Sequence, residues 1–276
     1  MRTKSWHLAL FGNPVEHSLS PVLQEAFAKQ FDLNICYQKI LTSITGFKEA
    51  VEKFFATGGD GANVTLPFKE EAFQLVDTRS DIARVCGAVN TLVQKKTGLL
   101  GDNTDGFGLV SDLNRQGISL KEKRILLLGA GGAARGVLAA LVQENPKKIT
   151  VSNRTFSKAQ HLAKTFSLCA LPLMKIGEDR YDLIINATSS SIAGTLLPLP
   201  ESVFSECKAA YDMMYGAQES PFLHYAKEKG VIHISDGLGM VVYQGAASFS
   251  LWTGKQPDVQ PVLNVLKTRL SILGMS

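Results

Sequence analysis

KRILLLGAGGAARGVLAALVQENPKKITVSNR, residues 123–154, decides the fold of this chain. Lys123–Leu128 is a nearly uninterrupted apolar run, the pattern of a strand buried on both faces. Gly129, Gly131 and Ala134 follow in the G-x-G-x-x-G/A spacing, and Ala133 to Gln143 continues with helical periodicity. Gly129 permits a tight turn, Gly131 lets the backbone approach a pyrophosphate, and small Ala134 permits close helix–strand packing. The first N–H groups of the helix lack intrahelical acceptors and, with the positive dipole end, suit phosphate. Strand, turn and helix in this order predict dinucleotide binding. A turn with a purely structural role is the alternative.

The next strand, Lys148–Ser152, ends in Asn153 and Arg154, where an NAD site places Asp or Glu. A carboxylate there accepts from the ribose hydroxyls, whereas a guanidinium pairs with a 2′-phosphate. The expected cofactor is therefore NADP, unless Arg154 is only a solvated surface residue. Arg135, early on the glycine-turn helix, is a second candidate for contacting phosphate or stacking on adenine. Further along, Ser157–Thr165 and Pro221–Glu228 read as helices, and Tyr181–Asn186, Ala209–Asp212 and Val231–Ile234 as strands. Strands alternating with helices predict a parallel sheet. The Pro/Gly/Ser-rich stretch Thr188–Pro200 reads as a loop near a ligand, and the tail from Gly237 as two helices divided by Gly254 and Pro257.

Before this unit, Trp6–Phe11, Ile35–Ile40 and Asp60–Val64 read as strands, and Pro21–Gln30 and Ile44–Phe55 as helices. Ala88–Val93 and Gly98–Asp102, joined by QKKT, suggest a β-hairpin at a sheet edge. These elements predict a first α/β domain with a mixed sheet.

At 276 residues the chain has room for two domains. Its 45% hydrophobic and 20% charged residues are those of a globular protein, not a disordered one. A net charge of +4, with scattered cations, gives no nucleic-acid footprint. No stretch approaches the roughly 20 apolar residues of a membrane span. The start, MRTKSWHLALFG, has too short an apolar run for a signal peptide, which makes the cytoplasm the default location. Cys36, Cys86, Cys169 and Cys207 form no CxxC pair and read as buried free thiols. No His/Cys/carboxylate spacing calls for a metal.

The first domain carries the polar constellation. Ser18 and Ser20, in GNPVEHSLSP, stand before a helix and suit an anion such as a carboxylate, or form one ordinary cap. Asn63, Thr65 and Lys69 lie in GANVTLPFKE, Asn90 in GAVNTL, and Asp102 and Asp105 in GDNTDG. Asn-rich strand ends offer matched donors and acceptors to a polyhydroxylated ligand. Lys69 and Asp105 are the lysine–carboxylate combination singled out for proton transfer; a structural salt bridge is the other reading.

With GNPVEHSLSP, GANVTLPFKE, GAVNTL, GDNTDG, GAGGAARG, NRT, INATSS, DMMY and DGLGMVVYQGA in this order, the chain resembles the shikimate dehydrogenase family over almost its whole length. The resemblance implies an α/β fold with an N-terminal mixed-sheet substrate domain and a Rossmann-type NADP-binding domain with a parallel sheet. It implies a substrate domain of residues 1–104, completed by helices 238–276, and an NADP-binding domain of residues 105–237, closing over a cleft. It implies NADPH-dependent reduction of 3-dehydroshikimate to shikimate, on the route to chorismate and aromatic amino acids. Lys69 and Asp105 would be the catalytic pair. Ser18 and Ser20 would hold the substrate carboxylate, with Tyr215 near it, and Asn63, Thr65, Asn90, Asp105 and Gln244 would surround the ring hydroxyls. Gly129, Gly131, Gly132 and Ala133 would cradle the pyrophosphate, and Asn153, Arg154 and Thr155 the 2′-phosphate. Thr188, Ser189, Met213 and Gly237 would line the nicotinamide half. The implied partners are a small-molecule substrate, no nucleic acid and no membrane, with a homodimer as the candidate assembly. Ser190, Ser191 and Ile192 depart from the family's glycine after Asn-Ala-Thr-Ser, and Gly216 and Ala217 from its usual Asn-Pro. A dehydrogenase that also takes quinate, a cofactor-binding regulator without turnover and a scaffold are the competing readings.

Overall fold

The computed structural model describes residues 4–191 and 193–274. It divides into two compact units: one runs through Gly108 and takes up Val241–Thr268 again, the other holds Leu109–Met240 and the chain from Arg269.

The first unit alternates β1 (Ser5–Gly12), α1 (Ser20–Lys29), β2 (Asn34–Leu41), α2 (Phe47–Ala56) and β3 (Gly61–Val64). Then come α3 (Lys69–Leu75), β4 (Thr78–Arg79), α4 (Asp81–Cys86), β5 (Thr91–Lys95) and β6 (Gly98–Asp102). Its mixed sheet has the order β2-β1-β3-β5-β6-β4. β1 lies parallel to β2 and β3, while β5 runs antiparallel to β3 and β6. Alternation along β1 sends Ala9 and Phe11 to one core, with Phe47, Val51 and Phe54 of α2. Leu8 and Leu10 face the opposite core, with Tyr37 and Trp252.

Two expectations need correction. The β5–β6 hairpin is not at the sheet edge, because Thr78 and Arg79 pair with Leu100 and Gly101 and cover β6. The strand also starts at Thr91 rather than Ala88. Val89 N–H donates to Lys69 O (2.8 Å) and Asn90 N–H to Asp102 O (3.0 Å), so residues 88–90 join separate segments instead of extending one ladder.

The second unit opens in α5 (Asp105–Arg115), which starts in the first. It continues with β7 (Arg124–Leu128), α6 (Gly132–Gln143), β8 (Lys148–Ser152), α7 (Phe156–Thr165), β9 (Cys169–Ala170) and β10 (Leu183–Asn186). β11 (Ala209–Asp212), α8 (Pro221–Glu228), β12 (His233–Ser235), α9 (Leu238–Thr253) and α10 (Val259–Gly274) complete the chain. The sheet is parallel throughout, in the order β12-β11-β10-β7-β8-β9, and reverses direction of progression between β10 and β7. This doubly wound order binds ligands beyond the strand C-termini at the reversal. Both faces are buried, as the apolar runs require. Ile125, Leu127, Ile149 and Val151 pack with Val137 and Leu138 of α6, whereas Leu126, Leu128 and Ile184 pack with Phe204 and Phe222.

Asp112 of α5, fully buried, accepts from Tyr211 Oη (2.8 Å), Arg115 Nε (2.9 Å) and Gln116 Nε2 (2.8 Å). Burial and the adjacent Asp112 carboxylate hold the Tyr211 phenol well above its ordinary pKa. A Cβ on Gly239 would stand 1.9 Å from Asp112 Oδ1, so only glycine lets the start of α9 lie here.

No helix among the described residues is long and apolar enough to cross a membrane. The thiols are free, but only Cys86 and Cys207 are buried; Cys36 and Cys169 are exposed, contrary to expectation, because they sit on the edge strands β2 and β9. Burial pushes Cys86 and Cys207 up to about 12. At pH 8 both stay protonated, and the thiolate is the reactive form. An aromatic disulfide reagent is therefore expected to titrate two thiols in native protein and all four in denaturant.

Candidate active site

In the first unit, β3, β5 and the turn after β6 bring the expected polar residues together. Asp105 opens α5 and is 3% exposed, which makes its carboxylate costly unless satisfied. Lys69 Nζ, from the first residue of α3, lies 2.5 Å from Oδ2, and Asn90 Nδ2 donates to Oδ1 at 2.8 Å. The Asp105 N–H donates to Asn103 Oδ1 at 3.0 Å, fixing the helix start. Charge-assisted bonds of this length are the strong ones. Lys69 carries three donors, and one is directed at Asp105.

Asn90 is the hub. Its Nδ2 also reaches Thr104 Oγ1 (2.9 Å) and Gln244 Oε1 (3.2 Å), while its Oδ1 accepts from Thr91 Oγ1 (2.8 Å) and Thr104 N (2.9 Å). Asn63 Oδ1 accepts from Tyr37 Oη (2.8 Å), and its Nδ2 donates to Ser248 Oγ (3.0 Å) and Asn90 O (3.2 Å). Gln244 and Ser248 stand one turn apart on α9, and Ser248 Oγ donates back to Gln244 O at 3.1 Å. Tyr37, Thr91, Thr104 and Ser248 belong to this network and escaped sequence reading; the four-residue step from Gln244 to Ser248 on one helix face was the available signal.

Thr65 follows β3, its N–H bonded to Phe11 O (2.9 Å), and a Cβ on Gly12 would strike its Cγ2 at 2.4 Å. The glycine of GNP thus makes room for the threonine of NVT. Ser18 and Ser20 are half-buried and joined, Ser18 Oγ donating to Ser20 Oγ at 3.0 Å and accepting from Ser20 N at 3.2 Å. Neither caps α1 through a side-chain bond; its N-cap is Leu19.

In the second unit, Gly129 takes φ +118°, and a Cβ there would stand 2.9 Å from Ala187 O. Gly131 caps α6, with no heavy atom within 4 Å of where its Cβ would be, and no side chain caps this helix. Gly132 and Ala133 form the first turn of α6, whose first N–H groups lack intrahelical acceptors. Arg154 and Thr155 are exposed beyond β8, and Asn153 Nδ2 donates to Thr155 O at 3.0 Å. Arg135 is half-buried in the first turn of α6. Thr188 donates through N (3.1 Å) and Oγ1 (2.7 Å) to Asn186 Oδ1, and exposed Ser189 follows it. Met213 N–H donates to Asn186 O (2.9 Å), Gly237 N–H to Met214 O (2.9 Å), and half-buried Tyr215 lies just beyond. No group of three or more His, Cys, Asp or Glu among the described residues is arranged to hold a metal ion.

Residues 10–92 match the shikimate dehydrogenase substrate binding domain, 112–194 the shikimate/quinate 5-dehydrogenase model, and 237–267 the shikimate 5′-dehydrogenase C-terminal domain. A shikimate dehydrogenase (NADP(+)) of Colwellia psychrerythraea is 49% identical over 264 residues, covering 95% of this chain and 96% of its own. The chain belongs to the shikimate dehydrogenase family. The namesake of Hahella chejuensis is 48% identical over 264 residues, covering 94% of this chain and 97% of its own. Shikimate 5-dehydrogenase from Thermus thermophilus, crystallised with NADP(H) and shikimate, shares the fold at a TM-score of 0.86 and 37% identity, over 95% of this chain and 99% of that one.

Of the loop residues that the resemblance set apart, Ser190 Oγ lies 2.7 Å from Thr188 Oγ1 and Ser191 Oγ donates to Asp212 Oδ2 at 2.5 Å; Ile192 lies outside the described residues. Gly216 and Ala217 are exposed.

Asn90→Ala removes the hub and leaves the Thr104 N–H and one Asp105 oxygen without their acceptor and donor. Urea unfolding is expected to show a loss of about 2 kcal/mol, the scale of buried polar groups left unpaired.

Proposed function

We propose that this chain catalyses the reversible NADPH-dependent reduction of 3-dehydroshikimate to shikimate, with Lys69 and Asp105 as its catalytic pair. The observation that carries the reading is the Lys69–Asp105 contact, held by Asn90 in a buried network. The first unit is the substrate-binding domain and the second the NADP-binding domain.

The residues of the second unit fit the cofactor. Gly129, Gly131, Gly132 and Ala133 form the open helix N-terminus for the pyrophosphate. Asn153, Arg154 and Thr155, at the end of β8, offer the guanidinium and polar groups for a 2′-phosphate. Thr188, Ser189, Met213 and Gly237 supply the nicotinamide half of the site, at the C-terminal ends of β10 and β11 and before α9. NADPH, when bound, supplies the hydride that reaches the ketone carbon.

The chain's own groups handle charge and protons. Protonated Lys69 directs a donor at the carbonyl oxygen, stabilises the negative charge that develops there and transfers the proton. In the oxidative direction the amine takes the hydroxyl proton back. Asp105 holds Lys69 through Oδ2 and so fixes where its remaining donors point. Ser18 and Ser20 present two hydroxyls to the substrate carboxylate, with Tyr215 as a further contact. Thr65, Asp105 and Gln244 meet the ring hydroxyls. Asn63 and Asn90 have most of their bonding capacity taken within the protein; Asn90 serves the ring chiefly by aligning Gln244 and Asp105, and Asn63 by holding the Asn90 backbone and Ser248.

Lys69→Ala is expected to lower kcat by about a hundredfold or more, the scale of a lost acid–base group, with the fold intact by circular dichroism. Wild-type turnover in that variant would remove Lys69 from the mechanism. NADPH oxidation with 3-dehydroshikimate, then with 3-dehydroquinate, tests the substrate. In Arg154→Ala the preference of kcat/KM for NADPH over NADH is expected to fall about tenfold or more, the worth of a charge-assisted hydrogen bond. An unchanged ratio would leave Arg154 a surface residue.

A further inference from the structure

A buried carboxylate without a cationic partner stands beside the cofactor-facing loops of the second unit. Asp212, the last residue of β11, is fully buried, and no lysine, arginine or histidine pairs with it among the described residues. Neutral donors satisfy it instead: Ser191 Oγ (2.5 Å), Ser220 Oγ (2.6 Å) and Asn186 Nδ2 (3.3 Å) reach Oδ2, and the Met214 N–H (3.0 Å) reaches Oδ1. Asn186 is the register partner of Asp212 on β10 and is equally buried. Its Oδ1 takes both donors of Thr188, and its backbone O takes the Met213 N–H. Met213 is in turn closed in by Gly237, whose Cβ would stand 2.2 Å from Met213 O.

Three segments thus meet around one buried carboxylate: Thr188–Ser191 after β10, Met213–Met214 after β11, and, through Met214 O, Gly237 before α9. Isolated loops at strand ends are mobile, and each side-chain tie to a buried acceptor removes a conformational choice. We infer that Asp212, with Asn186 and Ser191, is a positioning residue that presets Thr188, Met213 and Gly237 for the nicotinamide half of the cofactor. The inference rests on the proposed NADPH-linked reaction. Ser191 ties the loop after β10 directly to Asp212.

Asp212→Asn keeps the shape and puts an N–H₂ where an oxygen accepted, opposing the Asn186 amide donor. NADPH binding, followed by protein-to-nicotinamide fluorescence transfer, is expected to weaken about tenfold, the scale of lost charge-assisted bonds. Binding of adenosine 2′,5′-bisphosphate, which has no nicotinamide, is expected to stay within about twofold. KM for 3-dehydroshikimate is expected to stay unchanged while KM for NADPH rises. Equal loss for both nucleotides, or no loss for either, overturns the inference. Ser191→Ala removes one donor without exposing a charge and is expected to shift NADPH binding the same way, about threefold; it decides the matter if Asp212→Asn does not fold, with equal effects on both nucleotides again the overturning result. Wild-type protein that binds NADPH but does not turn over 3-dehydroshikimate would overturn the proposed reaction and leave this comparison readable. Failure to bind NADPH would overturn both.

Discussion

The second unit is organised by the close passage of two backbones at the point where its strand order reverses. Gly129 leaves β7 at φ +118° with Ala187 of the neighbouring strand end 2.9 Å from where a Cβ would be. Any side chain there would push the turn off β10 and tilt α6 away from the sheet. With glycine in place, α6 starts close to the strand ends, and Ala134 in its first turn is fully buried. The loops after β10 and β11 emerge beside this turn, because parallel strands deliver all their C-termini to one edge.

The first unit solves a different problem, holding a lysine and a carboxylate together in a buried setting. An isolated buried charge is costly, and a pair is tolerable only with further hydrogen bonds on its remaining lone pairs. Asn90 supplies that bond to Asp105, Thr91, Thr104 and Gln244 fix Asn90 in turn, and Ser248 holds Thr91. The network draws on β5, the turn after β6 and α9, so its geometry depends on chain segments more than a hundred residues apart.

Buried carboxylates recur in the second unit with separate tasks. Asp112 joins α5 to β11 through Tyr211 and lies against the start of α9 at Gly239. Asp212 gathers the loop ends at the opposite end of β11 from Ala209. Each is satisfied mostly by neutral or partly exposed donors, which fixes the rotors of the donating side chains.

Much of this was legible in the sequence. The apolar run Lys123–Leu128, one residue longer than β7, the glycine spacing and the helical period of α6 are local properties, and local sterics decide them. β8, β11 and α8 were likewise fixed within a residue or matched outright, since apolar runs bounded by Pro, Asn or Asp leave little choice. The residues themselves singled out Lys69 and Asp105, yet nothing local distinguishes a proton-transferring pair from a structural salt bridge. Only the tertiary structure puts Lys69 Nζ 2.5 Å from Asp105 and makes Asn90 their hub. The short elements β4 and β9 escaped because two-residue strands carry no period of their own and exist by pairing with distant neighbours. The exposure of Cys36 and Cys169 was hidden for the same reason: whether a strand lies at an edge is a property of sheet order, not of its residues. The sequence by itself therefore determined the dinucleotide turn, the alternation of elements and the residues available for chemistry. Tertiary structure decided which polar groups meet and which strands stand at the edges, because those depend on contacts between segments far apart in the chain.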